Sequence, residues 1–216
     1  MEFSRLLEKM ARGQRLNDSE VFELQTHARA LEEVKNLAKG WVTLGTNSPI
    51  FLPGIETIYS QVLNVAAASM TIPIPNAYKH LILLGAGRTT GAGTSADFLL
   101  GRYNSDSGMN YINQKHYAVN TTVTAARDTA QTAGIVGLLT QGGHAAGDVS
   151  SFFTIIPHYA SSSLNKNSLT LAAPHFGSIY TFGSNWDSLD PIQSITLISG
   201  ADNIAATSVI SVYGIK

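Results

Sequence analysis

Gly85-Ala86-Gly87-Arg88-Thr89-Thr90-Gly91 is the stretch of this chain nearest in type to a phosphate cradle. A dinucleotide site needs G-x-G-x-x-G opening a helix, so that helix N-terminal amides face the pyrophosphate. Here the third glycine comes one residue late, and Thr94 to Tyr103 reads as strand, so a hairpin loop is expected instead. No Gly-Lys-Ser/Thr occurs, which removes a P-loop. The six histidines, His27, His80, His116, His144, His158 and His175, include no i, i+4 pair and no HExxH. The spacing therefore announces no metal site, although distant strands can still assemble one in space. A glycosidase needs two carboxylates at a set separation. After Glu56 only seven aspartates remain. Asp187 and Asp190 follow Trp186, a grouping suited to a sugar, but they also precede Pro191, where turn residues belong, and the turn is preferred. Gly93-Thr94-Ser95-Ala96-Asp97 lacks the second glycine of a nucleophile elbow. No catalytic, cofactor or metal residue is expected, and the chain reads as a non-enzyme.

Aromatic residues near strand ends are the remaining chemistry. Rigid aromatics on loops make efficient binding anchors. Tyr103, Tyr111, Tyr180 and Trp186 form the candidate ligand surface. The alternative is that they plug the ends of a core.

Two structural regimes must position these residues. The chain has 216 residues, 44% hydrophobic and 13% charged, with a net charge of −1 and no cysteine. The near-neutral balance gives no electrostatic reason to expect nucleic acid or an anionic membrane. Disulfides and thiolate metal sites are excluded outright. No signal peptide is read at the N-terminus, and the apolar stretch Gln61–Met70 is too short to span a bilayer. Of the 29 charged residues, 14 fall in the first 40, and Glu56 is the last glutamate. Glutamate favours helix and is depleted in strands.

Residues 1–40 read as a helical hairpin arm. Phe3, Leu6, Leu7 and Met10 recur at helical spacing before Gly13. Asn17 and Glu20 then make a capping signal for a second helix ending at Gly40. Its apolar stripe includes Leu24, Ala28, Leu31 and Val34, which with Trp41 are the candidate anchoring residues. Two helices of this length bury too little apolar surface alone, so the stripe is expected to pack on a symmetry mate or a scaffold, or else on the chain's own body. Residues 41–55 form a linker. Residues 56–216 are rich in Thr, Ser, Val, Ile, Tyr and Gly, with apolar runs broken by turn clusters. Ten strands are expected, near 58–65, 69–74, 79–85, 95–103, 111–120, 149–157, 166–172, 176–182, 193–198 and 207–214. Residues 121–138 read as a short helix or a meandering loop. Leu81–Leu84, four apolar residues in succession, suit a strand covered on both faces. The Asn104–Asn110 turn is expected to close a hairpin through Asx-type side-chain bonds. The fold class expected is mainly β: the helical arm followed by a jelly-roll-like antiparallel β-sandwich.

Two segments carry a resemblance. One is Tyr78-Lys79-His80-Leu81, then Gly85-Ala86-Gly87-Arg88, then Tyr103-Asn104-Ser105-Asp106-Ser107-Gly108-Met109-Asn110-Tyr111. The other is the closing Ser208-Val209-Ile210-Ser211-Val212-Tyr213-Gly214. Over about residues 70–216 the chain resembles the β-sandwich domains of tailed-bacteriophage virion proteins: fibre, tail-tip and head-decoration modules. That resemblance implies a homotrimer located in the virion, with other capsid or tail proteins as partners. The expected function is a fibre-base or capsid-decoration protein held by its N-terminal arm. The alternative is a tail adsorption module recognising host-surface carbohydrate. No cofactor is expected.

Overall fold

The structure, a computed structural model, describes residues 54–216. The expected helical arm, with Leu24, Ala28, Leu31 and Val34, lies outside the described residues, as do Trp41 and the linker up to residue 53. Residues 54–216 form twelve strands and no helix. In chain order these are β1 Ile55–Val62, β2 Ser69–Pro73, β3 His80–Gly87, β4 Ala96–Tyr103, β5 Tyr111–Val119 and β6 Thr122–Gln131. They continue as β7 Gly134–Thr140, β8 Ser150–Pro157, β9 Lys166–Ala173, β10 Ile179–Trp186, β11 Ser194–Ser199 and β12 Val209–Ile215. The ten expected strands fall on β1–β5 and β8–β12, displaced by at most four residues.

The strands form an antiparallel sandwich. One sheet has eight strands in the order β1-β12-β3-β8-β9-β10-β5-β6, and the other has four in the order β2-β11-β4-β7. Between them lies one apolar core, including Leu81 and Leu83 of β3, Leu99 of β4, Phe182 of β10, Leu197 of β11 and Val212 of β12. A simple jelly roll has eight strands; twelve in sheets of eight and four is a larger variant of the sandwich.

Three local expectations change. Residues 121–138 are neither helix nor loop but β6 and the start of β7. Alanine and charge in Thr122–Gln131 blur the strand signal, because β6 is an edge strand supported on one side by β5. The Asn104–Asn110 turn does not close a hairpin. It carries the chain from β4 in the small sheet to β5 in the large one. Its Asx bonding is nevertheless present: Asp106 Oδ1 accepts from Gly108 N at 2.8 Å, and Oδ2 accepts from Asn110 Nδ2 at 2.9 Å. Gly85–Gly91 likewise is not a hairpin loop. Gly85 and Gly87 sit inside β3, and the chain then crosses to β4 in the other sheet.

The edge of the small sheet decides which residues face inwards. β7 pairs only with β4, and all seven of its residues are buried. Its outer-edge backbone groups therefore need partners other than water. Polar side chains on the inner face of the large sheet supply them. Thr154 of β8 donates to Val136 O at 2.7 Å, and Thr170 of β9 donates to Ile135 O at 3.3 Å. Ile135 N donates to Ser184 Oγ at 2.9 Å and Asn113 Oδ1 at 3.1 Å. Glycine at position 137 leaves room for this close approach: a Cβ there would sit 2.8 Å from the Phe152 ring.

That demand inverts the usual pattern on β9. Lys166, Ser168, Thr170 and Ala172 point inwards, while Leu169 and Leu171 point outwards. Lys166 is accommodated by donating to the carbonyls of Leu164 at 2.6 Å and Leu189 at 3.2 Å. Burial holds its ammonium below the ordinary lysine value, with Asp190 opposing.

Candidate functional site

The inversion leaves the outer face of the large sheet apolar at its centre. Leu84, Phe153 and Leu171 stand in register across β3, β8 and β9, and the row ends on Thr181 of β10. Ile82, Ile155 and Leu169 form the next row, which ends on Gly183. Neither row contains a charge between β3 and β10. Leu169 is 55% exposed, Leu171 48%, Phe153 39% and the flanking Ile179 53%. Ser151, Phe153, Leu171, Ala173 and Ile179 border a shallow apolar depression of about 290 Å³. The outer face of the small sheet is different in kind: Thr71, Thr196 and Arg102 share one row, with Thr71 and Thr196 hydrogen-bonded at 2.9 Å.

The same large face becomes polar toward β5 and β6. A second depression, about 380 Å³, is lined there by Gln114, Arg127, Asn167 and Asn185 with Ile112 at its side. Gly183 opens it, since a Cβ at that position would meet nothing within 4 Å. Asn185 Nδ2 donates to Asn167 Oδ1 at 3.0 Å, and Gln114 Nε2 to Ala126 O. These amides and the guanidinium present several donors on one concave patch.

The aromatics expected on a ligand surface lie elsewhere. Tyr103 is 2% exposed, Tyr111 0% and Trp186 2%. They plug one end of the core, with Tyr103 and Trp186 edge to face at 5.5 Å and Tyr111 stacked on Trp186 at 6.3 Å. Trp186 Nε1 donates to Asp106 Oδ2 at 2.7 Å, and Tyr103 N donates to Tyr111 Oη at 2.9 Å. Trp186 and Tyr111 are amphipathic rings with a satisfied polar tip, which suits a strand end, whereas the buried Tyr103 hydroxyl has no partner among the described residues. Tyr180 is half-buried and stacks on Tyr117 at 5.1 Å against the core. Of the two alternatives for these residues, the core plug is the one observed for Tyr103, Tyr111 and Trp186.

Four carboxylates serve the framework. Asp97 accepts from Gln141 Nε2 at 3.0 Å, Asp128 pairs with Lys115 at 2.7 Å, and Asp187 accepts from Asn165 Nδ2 at 2.8 Å in the loop after β10. Glu56 accepts from Tyr78 Oη at 2.8 Å and pairs with Lys216, joining β1 to the chain's last residue. The Lys216 and Tyr78 bonds hold the Glu56 carboxyl below its ordinary value. Among the described histidines, His80 and His158 form an edge-to-face pair at 4.8 Å, and His144 and His175 another at 4.3 Å beside Asp148.

No protein-family model and no curated protein matches the chain. Among solved structures, the CBM40 domain of a Ruminococcus gnavus IT-sialidase bound to α2,6-sialyllactose aligns at 10% identity and a TM-score of 0.32, over 73% of this chain and 92% of that one. A PL-14 alginate lyase from Aplysia kurodai aligns at 10% identity and a TM-score of 0.33, over 76% and 85%. The alginate lyase Aly36B aligns at 8% identity and a TM-score of 0.32, over 79% and 85%. Likeness at this level says nothing of what this chain binds or does, and the sandwich is established by its own strand pairing.

Proposed function

We propose that this chain is a non-enzymatic structural protein of a bacteriophage virion, a fibre-base or capsid-decoration component whose sandwich self-associates through the outer face of its large sheet. The observation that carries the proposal is the paired apolar rows Leu84–Phe153–Leu171 and Ile82–Ile155–Leu169 on that face. Leu81–Leu84 is apolar on both sides of β3, the pattern of a strand covered twice, and a second copy of this chain supplies the second cover. Size agrees. Eight strands at ~4.8 Å spacing and ~7 residues at ~3.4 Å give a whole face of about 900 Å², large enough to hold one partner's share of a standard interface. A neutral patch packs on a neighbouring copy without charge repulsion. Framework use of Glu56, Asp97, Asp128 and Asp187 supports the non-enzymatic part. The resemblance of residues 70–216 to virion modules supports the location and a trimeric state.

Sedimentation or light scattering on the full chain tests this. The wild type is expected to be oligomeric, and Leu171→Glu with Phe153→Glu is expected to yield a folded monomer. A wild type that remains monomeric at high concentration overturns self-association.

The polar depression favours one second reading, an adsorption module that binds host-surface carbohydrate. Its amides and Arg127 match the hydrogen-bonding needs of sugar hydroxyls and carboxylates. Binding of purified protein to host cells, lost in Arg127→Ala with Asn185→Ala, is the result expected on that reading.

A further inference from the structure

From His144, Asp148 and His175 we infer a binding site for one divalent transition-metal ion of the Zn²⁺ type, where the β7–β8 loop meets the β9–β10 loop. One ligand atom from each residue lies within 4.8 Å of the other two. His175 Nε2 and Asp148 Oδ2 are 3.4 Å apart, the edge of a tetrahedron with bonds of about 2.1 Å. Side-chain rotation that closes the widest pair by about 1.4 Å brings it from at most 4.8 Å to the same edge. His144 Nε2 is buried and has no hydrogen-bond partner among the described residues. Buried polar atoms are rarely left so. An ordinary ion pair accounts for His175 and Asp148 but leaves this nitrogen unexplained, whereas an ion held by the His144 ring would give it a partner. Two imidazoles and one carboxylate suit Zn²⁺ and its first-row neighbours rather than Ca²⁺ or Mg²⁺. His175 and Asp148 side chains stay 27% and 33% exposed, so solvent reaches the site and supplies the remaining ligand.

The surroundings hold the site in place. Arg88, just after β3, donates to three carbonyls of the β7–β8 loop: Ala145 at 2.6 Å and Gly142 and His144 at 2.8 Å. Gly143 lets that loop press on residues 92–93, where a Cβ would sit 2.5 Å from Gly93 O. Ala145 N donates to Asp148 Oδ2 at 3.1 Å and orients the carboxylate. Phe176 stacks on the His144 ring at 5.8 Å and forms an apolar wall. A bound ion would tie two separate loops together, as a structural metal does.

Calorimetric titration of Zn²⁺ into the chelator-stripped 216-residue chain tests the site, with melting temperature as a second readout. One ion per chain and a raised melting temperature are expected. His144→Ala, Asp148→Asn and His175→Ala should each lose the one-site isotherm, while His116→Ala keeps it. A metal-free melt equal to wild type shows that each variant is folded. If His144→Ala shifts that melt, His175→Asn on the exposed loop takes its place. Absence of saturable binding by the wild type, or binding that survives loss of both histidines, overturns the site.

Discussion

At the residue scale, environment rather than residue type decides what each aromatic or histidine does. Tyr103 and Tyr111 have the same side chain as any binding-site tyrosine, yet both are sealed in the core. Burial pushes the Tyr103 phenol up to about 12, slightly opposed by the nearby Ser168 hydroxyl. Those two hydroxyls do not meet hydrogen-bond geometry. Burial also raises Tyr111. In the unfolded chain both ionise near 10, so above that pH the folded state holds more protons. Their contribution to stability is whole below about pH 10 and is lost as pH climbs through 12. In a tyrosinate absorbance titration, at least these two of the eight tyrosines should stay protonated until alkaline unfolding. Smooth titration of all eight near pH 10 in folded protein would contradict their burial. Neither tyrosine's fate was legible from spacing, because a strand-end aromatic suits a loop surface and a core plug equally.

At the element scale, β7 organises the molecule. An edge strand buried along its whole length must find hydrogen bonds inside the protein, and Thr154, Thr170, Ser184 and Asn113 provide them. Thr154→Val keeps the shape but strands the Val136 carbonyl, and it is expected to cost about 1–3 kcal/mol in urea denaturation. A change below about 0.5 kcal/mol would mean that the carbonyl does not depend on Thr154. β9 shows why strands were legible while their faces were not. Alternation in Lys166–Ala173 announces a strand. Ordinary reasoning would turn Leu169 and Leu171 inwards, and the needs of β7 turn them outwards. β6 was missed for the opposite reason, since an edge strand with one partner carries weak apolar patterning.

At the scale of the whole molecule, the proposed self-association through the large sheet and the proposed attachment through residues 1–40 can be tested apart. Deleting residues 1–40 is expected to leave cooperative unfolding and oligomeric mass intact by calorimetry and light scattering, while incorporation into particles is lost. Loading at wild-type stoichiometry would remove the anchoring role from the arm. The chain's repeated passage between sheets explains how far its sequence can be read. β2, β4, β7 and β11 form the small sheet and alternate along the chain with strands of the large one. By itself, the sequence determined that residues 56–216 are built of strands and where ten of them run, because apolar runs and turn residues are local signals. It also separated the glutamate-rich first 40 residues from the rest. Tertiary structure alone decided the division into eight and four strands, the outward leucines of β9 and the meeting of His144, Asp148 and His175. Each depends on contacts between residues far apart in the chain, which local periodicity does not encode.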